Sequence, residues 1–403
     1  MQNHPYPHVA PNKIRIVHLI TGLEFGGAEQ QLKQLILGSD PSQFEHIVIS
    51  MMGVGPIGMD LRRSGVKVYS LNMPRGVPAL TGLIRLRSIL RQVDPDVLHC
   101  WLYHSCLLGL LAARLAKVAK LVWCLRSAND GLRNYRFQTR SVVKLCALLS
   151  RFSSAITLNS EAGRLVHAHW GYHKSRMQVI PNGVNLQLFR PDSVARADIR
   201  QELRLPLDTV LIGLIARYHP VKDHSTFFRA AQIVSARQPR VHFVLAGSGV
   251  TVKNSEVSHL VSEHRLQDTV HLLDVRSDIP RLTAALDIAC LSSWSESFPN
   301  VICEAMACCV PCAVTDVGDA RLIVGETGKV VPPRNPTALA QALLSLIEMP
   351  VMQRMGLGQS AHERAKMFSL NRAVSAYETL YSSLCGLGDQ SMIAAARKPA
   401  RVN

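Results

Sequence analysis

Residues 294–315 read WSESFPNVICEAMACCVPCAVT, a pattern that predicts a polar loop, an apolar helix and a short buried strand in succession. Glu296 and Glu304 stand eight residues apart within it. Because Pro299 suits the first turn of a helix, Glu296 falls in the loop before the helix and Glu304 falls inside it. The first N–H groups of a helix have no partner within it, and with the positive end of the helix dipole they attract phosphate. The stretch therefore predicts a nucleotide site, in which amides bind a diphosphate and a carboxylate binds ribose hydroxyls.

On both sides of this stretch, short apolar runs alternate with helical segments. Runs typical of buried strands lie at residues 14–20, 46–50, 67–71, 96–99, 121–125, 155–159, 177–180, 209–216, 241–246, 270–273 and 287–291. Such alternation is typical of α/β folds, in which helices cover both faces of a parallel sheet. At 403 residues the chain exceeds one average domain, so we predict two doubly wound domains.

The segment ESFPNVICEAMA at residues 296–307 resembles the Glu-x7-Glu motif of retaining glycosyltransferases with the GT-B fold, most closely glycosyltransferase family 4. The resemblance is carried by Phe-Pro-Asn before the helix and by Glu-Ala-Met-Ala with a proline four residues later. A second stretch, IPNGVN at residues 180–185, is similar to the hinge motif of that family. Four positions depart from the usual residues of the family. Ser297, Cys309 and Asp319 stand where Gly is usual, and Asn185 stands where Asp is usual.

The resemblance implies a particular division of the chain. Two Rossmann-like domains would face each other across a cleft, with an acceptor-side domain at residues 13–190 and a nucleotide-sugar donor domain at 191–368. A last helix at 369–385 would cross back onto the first domain. Residues 1–12 and 386–403 are predicted to be a flexible lead-in and a disordered tail.

The resemblance also implies roles for residues of the second domain. Glu296 would position the transferred sugar or stabilise a positive anomeric centre, and Glu304 would bind the ribose diol. Arg217 and Lys222 follow the strand at 209–216, where two cations can clamp a diphosphate. The remaining predicted substrate-binding residues of this domain are Ser297, Phe298, Pro299, Asn300 and Val301 around the diphosphate, and Arg276 near the base.

Residues of the first domain complete the predicted site. Gly26 and Gly27 form a Gly-rich turn after the first strand, which either approaches the ligand or is a plain strand–helix turn. His104 would face the transferred sugar, and the alternative is a histidine that is only hydrogen-bonded at a helix start. His99 is interpreted as structural, and the loop at residues 126–130 would touch the acceptor.

The net charge of +16 is concentrated in the first half of the chain. Residues 1–195 carry 23 Lys and Arg against 10 Asp and Glu, a balance of +13. A region this basic indicates binding to either nucleic acid or an anionic membrane surface. The absence of zinc-finger spacing and of aromatic–basic RNA motifs argues against nucleic acid. The basic, amphipathic segment at 133–152 suits a membrane interface, although a charged stripe can also be a solvated face.

The cysteines, and motifs that the sequence lacks, bear on the location of the protein and on the metal ions and cofactors that it could bind. The ten cysteines show no disulfide framework and no N-terminal signal region is present, so we expect a cytoplasmic protein, either soluble or peripheral on the cytoplasmic face of the membrane. Cys309 and Cys312 form a lone CxxC pair, which is two ligands short of a zinc site. The GxGxxG spacing of nicotinamide-binding folds is absent. We therefore expect no metal ion and no cofactor.

The predicted activity is a metal-independent, retaining transfer of a sugar from a nucleotide diphosphate sugar, with UDP as the carrier by family frequency. The acceptor would be a saccharide or a polyprenyl-diphosphate saccharide in cell-surface polysaccharide assembly. Two alternatives share the fold, namely a nucleotide-sugar 2-epimerase and a non-catalytic subunit that binds sugar nucleotides.

Overall fold

A computed structural model of the protein describes residues 13–74, 80–128, 131 and 137–387. The predictions for the lead-in at 1–12, for the tail beyond residue 387, and for residues 129, 130 and 133–136 lie outside the described residues.

The described part of the first half of the chain forms a parallel sheet covered by helices. Its strands are β1 (Ile14–Ile20), β2 (Phe44–Ser50), β3 (Lys67–Ser70), β4 (Val97–Trp101), β5 (Lys120–Leu125), β6 (Ala155–Leu158) and β7 (Met177–Val179). They are ordered β3-β2-β1-β4-β5-β6-β7. The helices between them are α1 (Gly27–Gly38), α2 (Gly55–Arg63), α3 (Leu80–Val93), α4 (Tyr103–Ala116), α5 (Phe137–Leu149) and α6 (Glu161–His169).

Residues 193–387, which are described without a gap, form a second parallel sheet with its own helices. Its strands are β8 (Val210–Ile215), β9 (Val241–Ala246), β10 (Val270–Leu272), β11 (Ile288–Leu291), β12 (Cys312–Thr315) and β13 (Gly328–Val331). They are ordered β10-β9-β8-β11-β12-β13. The helices are α7 (Ser193–Glu202), α8 (His224–Arg237), α9 (Ser255–Glu263), α10 (Ile279–Ala284), α11 (Asn300–Ala307), α12 (Ala320–Val324), α13 (Pro336–Ile347), α14 (Val351–Ala365) and α15 (Leu370–Leu384).

The prediction of two Rossmann-like parallel-sheet domains is confirmed. Central strands of such sheets are covered on both faces and need apolar side chains at nearly every position. In β1, for example, the side chains of Ile16, Val17 and Leu19 have no exposed surface. Strand β13 was not predicted, because it lies at the edge of its sheet and three of its four residues stay partly exposed, so it has no continuous apolar run.

The order of strands places the candidate site. Chain order reverses between β1 and β4 in the first sheet and between β8 and β11 in the second. Open α/β sheets bind ligands beyond the carboxyl ends of their strands at such reversals. The turn with Gly26 and Gly27 follows β1, His104 follows β4, Arg217 follows β8 and Glu296 follows β11. Sequence-predicted site residues therefore occupy both reversals.

The last helix, α15, packs on the first domain. Glu378 accepts hydrogen bonds from the Ser39 hydroxyl and the Asp40 amide, both at 2.8 Å. The Tyr381 hydroxyl lies 2.8 Å from Nδ1 of His99, which has no exposed surface. Burial lowers the pKa of His99 to about 3, so this imidazole is neutral at physiological pH. His99 is thus part of the packing beneath α15.

The chain crosses between the domains twice, and the two crossings are hydrogen-bonded to each other. The Val184 amide donates to the Phe368 carbonyl, and the Leu370 amide donates to the Val184 carbonyl, both at 2.8 Å. The first crossing belongs to the predicted hinge motif, and the second leads directly into α15.

Cys309 adopts a left-handed conformation (φ 60°) just after α11. That conformation costs a residue with a Cβ roughly 1–2 kcal/mol, and Gly avoids this cost. Gly also loses more conformational entropy on folding, which offsets part of the gain. We expect Cys309→Gly to raise the free energy of unfolding by about 0.5–1 kcal/mol and the thermal midpoint by about 1–4 °C. Cys308→Gly is the matched control: Cys308 has φ −85° and a buried side chain, so this change should lower the midpoint. A lower midpoint for Cys309→Gly would contradict the prediction.

Candidate active site

The loop between β11 and α11 begins the site. Helix α11 starts at Asn300, so Pro299 is the residue before the helix and the prediction that it occupies the first turn is wrong by one residue. With ψ at 91°, Pro299 is extended and directs the chain into the helix start. Glu296 lies in the loop and Glu304 inside the helix, as the spacing predicted.

Glu296 and Lys222 form an ion pair within this loop region. The Lys222 ammonium lies 2.5 Å from Oε1 of Glu296, and the Ser293 hydroxyl donates to the same oxygen at 2.7 Å. The side chains are only 24% and 13% exposed, so their attraction is screened less than that of a surface pair. Oε2 of Glu296 has no partner among the described residues. The pair thus leaves one carboxylate oxygen and part of the ammonium available to a ligand.

Hydrogen bonds fix the segment that carries Lys222 against the Glu296 loop. Lys222 ends a short 3₁₀ turn after β8. The Trp294 indole donates to the Pro220 carbonyl at 2.9 Å, and the Trp294 amide donates to the Val221 carbonyl at 3.0 Å. These two bonds join the loops and hold Lys222 beside Glu296.

Arg217 is an exposed cation immediately beyond β8. Within the described part of the chain it forms no ion pair, so its guanidinium is available to an anion. Behind it the backbone is tightly packed: a Cβ on Gly247 would lie 2.3 Å from the Ala216 carbonyl oxygen, and the Tyr218 amide donates to the Ser248 carbonyl at 2.8 Å. This packing holds the chain on both sides of Arg217.

Glu304 lies in the second turn of α11; the residue is partly exposed, but its carboxyl group is shielded from water. No described residue hydrogen-bonds to it, and desolvation raises the pKa of its carboxyl to about 7. Its charge in turn adds to the effect of burial in raising the thiol pKa values of Cys303 and Cys308. An acid without partners in this position has its full hydrogen-bonding capacity available for hydroxyl groups of a ligand.

The Gly-rich turn of the first domain lies opposite the start of α11. A Cβ on Gly27 would be 3.9 Å from Nδ2 of Asn300, so the two helix starts approach each other across the cleft. At Gly26, a Cβ would lie 2.3 Å from a carboxylate oxygen of Glu29, so the Glu29 side chain would have to shift to admit it. Contact between this turn and a ligand stays a prediction.

His104 is the second residue of α4 and is partly exposed. Desolvation lowers its pKa, so the imidazole is neutral and can donate from one nitrogen and accept at the other. Among the described residues, no hydrogen bond involves its ring, and its contact with a sugar stays a prediction. The preceding Leu102 has φ 73°, a strained conformation for a leucine at the point where the chain turns into α4.

Two segments of the first domain contact the Glu296 loop directly. The Ser297 hydroxyl donates to Oδ1 of Asn159 at 2.7 Å and lies 2.7 Å from the Ser160 hydroxyl. The Asn182 side chain donates to Oδ1 of Asn300 at 2.7 Å. Asn159, Ser160 and Asn182 were not among the predicted site residues, although they follow β6 and β7 at the carboxyl edge where ligand contacts are expected.

The structure does not bring the Arg276 side chain together with the Lys222–Glu296 pair. Its guanidinium binds both carboxylate oxygens of Asp278 at 2.7 Å and also pairs with Glu202. These ion pairs raise the pKa of Arg276 above its ordinary value. The predicted contact with a base runs through the backbone of this loop and stays a prediction.

The residues that the structure describes contain neither a cluster of metal-binding side chains nor a helix able to span a membrane. Among them, no three His, Cys, Asp or Glu side chains are grouped so that they could hold a metal ion. In the same ranges, no helix has the length and apolar character needed to cross a membrane.

Comparison with known protein families assigns both halves of the chain. Residues 25–188 match the model "Glycosyltransferase Family 4", and residues 209–349 match "Glycosyl transferases group 1". The chain belongs to glycosyltransferase family 4. The first matched region contains every strand of the first sheet except β1, and the second contains the whole second sheet, so the family assignment and the GT-B fold refer to the same architecture.

Relatives and solved structures agree with this assignment. This family 4 glycosyltransferase is 26% identical over 309 residues to a protein named "Putative glycosyltransferase EpsF" from Bacillus subtilis, across 75% of this chain and 79% of that one. It is 26% identical over 253 residues to the Escherichia coli "UDP-Gal:alpha-D-GlcNAc-diphosphoundecaprenol alpha-1,3-galactosyltransferase", across 61% and 64% of the two chains. It spans only 51–56% of several D-inositol 3-phosphate glycosyltransferases that also match.

The crystal structure of Anabaena Alr3699/HepE in complex with UDP has the same fold. It superimposes with a TM-score of 0.80 over 92% of this chain and 100% of that chain, at 23% identity.

Proposed function

We propose that this family 4 glycosyltransferase moves a hexose, with retention of anomeric configuration and without a metal ion, from a UDP-sugar to a saccharide or lipid-linked saccharide in cell-surface polysaccharide assembly. The observation that carries the proposal is the Lys222–Glu296 ion pair beside the start of α11. It joins a cation for a leaving phosphate and an acid for a sugar in one loop region, with the unpaired Arg217 after the neighbouring strand.

Charge stabilisation of the leaving diphosphate is the first task of the site. Cleavage of the anomeric C–O bond leaves negative charge on the phosphate, and donors fixed in advance toward that charge are commonly the largest catalytic contribution. Arg217, Lys222 and the free amides at the start of α11 would supply these donors. The diphosphate site would be lined by Ser297, Phe298, Pro299, Asn300 and Val301, with Gly26 and Gly27 opposite.

The sugar itself would lie between Glu296 and His104. Oε1 of Glu296 is occupied by Lys222 and Ser293, so Oε2 would face the positive anomeric carbon or a sugar hydroxyl. His104 would hydrogen-bond the donor sugar or the incoming hydroxyl from the other side of the cleft. Attack on the face that the phosphate leaves would retain the configuration, and the phosphate oxygen would accept the proton of the hydroxyl.

The nucleotide would be held by its ribose and phosphates. Glu304 would accept hydrogen bonds from the ribose diol, and the backbone near Arg276 would contact the base. UDP is the proposed carrier because the related Anabaena protein was crystallised with UDP and with UDP-glucose. A lipid-linked acceptor is supported by the Escherichia coli relative, whose name specifies a diphosphoundecaprenol substrate.

An exposed surface on α3, α4 and α5 supports the membrane part of the proposal. Its apolar side chains are 42–75% exposed: Leu80, Ile84, Leu111, Leu115, Phe137, Leu145 and Leu148. Cations accompany them, since Arg87 and Arg91 donate to the Leu115 carbonyl, and Arg114 and Arg151 lie over the Phe152 ring. Apolar groups flanked by cations suit an anionic lipid surface, which would bring a lipid-linked acceptor to the cleft.

Thermal unfolding across a panel of nucleotides tests the donor assignment. A ligand that binds only the folded protein raises its stability by about 2.7 kcal/mol at a concentration of 100 times its Kd. We expect UDP and UDP-sugars to raise the midpoint more than GDP or ADP, and the gain to be unchanged by a chelator. Equal effects of all diphosphates, or loss of the gain with chelator, would contradict the assignment.

Product analysis tests the reaction. Transfer from an α-linked UDP-sugar should give an α-linked product by NMR, and the donor alone should give no epimer. Transfer to a lipid-linked saccharide should be faster in anionic vesicles than in detergent-free buffer. A β-linked product would contradict retention, an epimer without acceptor would indicate a 2-epimerase, and equal rates in vesicles and buffer would remove the membrane role.

A further inference from the structure

Asp319 is a second-domain residue whose carboxylate binds the first domain. It directly precedes α12, and only 6% of its surface is exposed. Its two oxygens accept hydrogen bonds from the amides of Glu161 and Ala162, at 2.8 and 2.9 Å. These amides begin α6, where a carboxylate is favoured by the positive end of the helix dipole.

The same turn of α6 is linked to Ser297 by a continuous chain of hydrogen bonds. The Gly163 amide donates to the Ser160 hydroxyl at 2.9 Å, and the Ser297 hydroxyl donates to Asn159. Because Ser297 has only one proton to give, the Ser160 hydroxyl must donate to Ser297 in the 2.7 Å contact between them. The first three amides of α6 are thus all satisfied, two of them by a side chain of the other domain.

Asp319 and Ser297 also belong to one backbone unit. The Asp319 amide donates to the Ser297 carbonyl at 3.0 Å. Gly318 has φ 54°, and a Cβ there would lie 2.5 Å from the Glu296 carbonyl oxygen and 2.6 Å from that of Ser297. Any displacement of residues 318–319 would therefore be transmitted to the loop that carries Glu296.

We propose that Asp319 and Ser297 are positioning residues, which clasp the second domain to the start of α6 and thereby fix the Glu296 loop from both sides of the cleft. Within the second domain the loop is held by Lys222 and Ser293, and these contacts survive when the domains separate. The clasp exists only while the domains are closed. Closure therefore completes the geometry of the loop, and a donor that binds to the completed loop favours closure in return. The effect on the donor rests on the proposed function, whereas the clasp itself does not.

The Asp319→Ala, Ser297→Ala double variant tests the clasp without any substrate. Losing two bonds to the Asp319 carboxylate and two to the Ser297 hydroxyl should lower the ratio of closed to open protein roughly 10- to 100-fold. Small-angle X-ray scattering of the unliganded variant should give a larger radius of gyration than wild type. Asp316→Asn is the matched control, because Asp316 pairs only with Arg321 of its own domain and should leave the radius unchanged. An unchanged radius in the double variant overturns the proposal.

Kinetics distinguish positioning from a general structural role. When the competent form is less populated, the apparent affinity falls in proportion, so KM for the nucleotide sugar should rise by up to about tenfold. For Asp319→Ala alone, which leaves the proposed diphosphate site unchanged, the kcat at saturating donor should stay within about twofold, since bound donor restores closure. A fall in kcat with unchanged KM contradicts the proposal. Asp319→Asn alone keeps one acceptor oxygen before α6, so it should give the same effect at smaller size, and it serves if the double variant folds poorly. If wild type transfers no sugar at all, the proposed function fails while the scattering result still decides the clasp.

Discussion

The Lys222→Met variant is expected to lose about 10²–10³-fold in kcat while it remains folded. Losing one preorganised donor to a developing negative charge typically costs this much. Methionine keeps the apolar stem of the lysine, so packing of the 3₁₀ turn is preserved and the loss reports the ammonium group. This loss of kcat should exceed the loss caused by removing a cation that contacts only the phosphate, because Lys222 also binds Oε1 of Glu296 at 2.5 Å.

Two further lysine variants give this prediction its controls. Lys222→Arg keeps the charge but changes its shape, so it should recover part of the activity. Lys253→Met changes an exposed lysine of the same domain and should leave kcat unaltered. Steady-state rates with saturating donor and acceptor provide the measurement. A kcat for Lys222→Met within threefold of wild type would show that the leaving group is stabilised elsewhere.

The Glu304→Gln variant is expected to bind UDP about 10- to 100-fold more weakly than wild type. Hydrogen bonds to a charged group contribute about 1.5–3 kcal/mol, and a neutral amide in the same place accepts more weakly and presents an N–H₂ group to the diol. Isothermal titration at pH 8, where the carboxyl is ionised, measures the difference. Titration with inorganic pyrophosphate is the matched control, because it lacks the ribose and should bind both proteins alike. Equal affinity for UDP would remove Glu304 from the nucleotide site.

The same variant should be more stable than wild type in alkaline solution. The pKa of Glu304 is about 7 in the folded protein against an ordinary value of 4.5, so between these values the folded state holds the proton more tightly than the unfolded state does. The stability that the proton confers is complete below pH 4.5 and is lost as pH rises through 7. The loss amounts to roughly 3 kcal/mol, and Glu304→Gln removes it.

Denaturant unfolding of the two proteins from pH 5 to 8 measures this effect. The difference in the free energy of unfolding between wild type and variant isolates the contribution of the Glu304 carboxyl, because the buried histidines and other titrating residues are common to both proteins. The difference should grow in favour of Glu304→Gln as pH rises. A difference that is independent of pH would show that the carboxyl titrates normally.

The parts of the fold that the sequence predicts are those set by local pattern. Central strands such as β1 are buried on both faces, so their apolar runs are visible in the sequence, whereas the edge strand β13 has no such run. Within the predicted site, Glu296 and Lys222 could be named because they lie in loops that follow recognisable strands, and Glu304 because it completes a family motif.

Partners that are distant in the chain could not be predicted. Ser160 and Ser297 are 137 positions apart in the sequence, and Arg276 and its partner Glu202 are 74 positions apart. Such contacts depend on how the two domains and their loops pack, which no local pattern encodes. The sequence analysis treated Asp319 only as a departure from a usual glycine, but its carboxylate has a specific partner in the other domain.

The paired crossings at Val184 and Leu370 limit the ways in which the two halves can move. A single interdomain connection would allow the domains to rotate about several axes. Two adjacent connections that are hydrogen-bonded to each other restrict this movement. Rotation about the axis that passes through both connections keeps their hydrogen bonds, whereas rotation about any other axis must break them. Such a hinge would bring the Glu296 loop back to the same place on the first domain at each closure, where the contacts of Asp319 and Ser297 can form again.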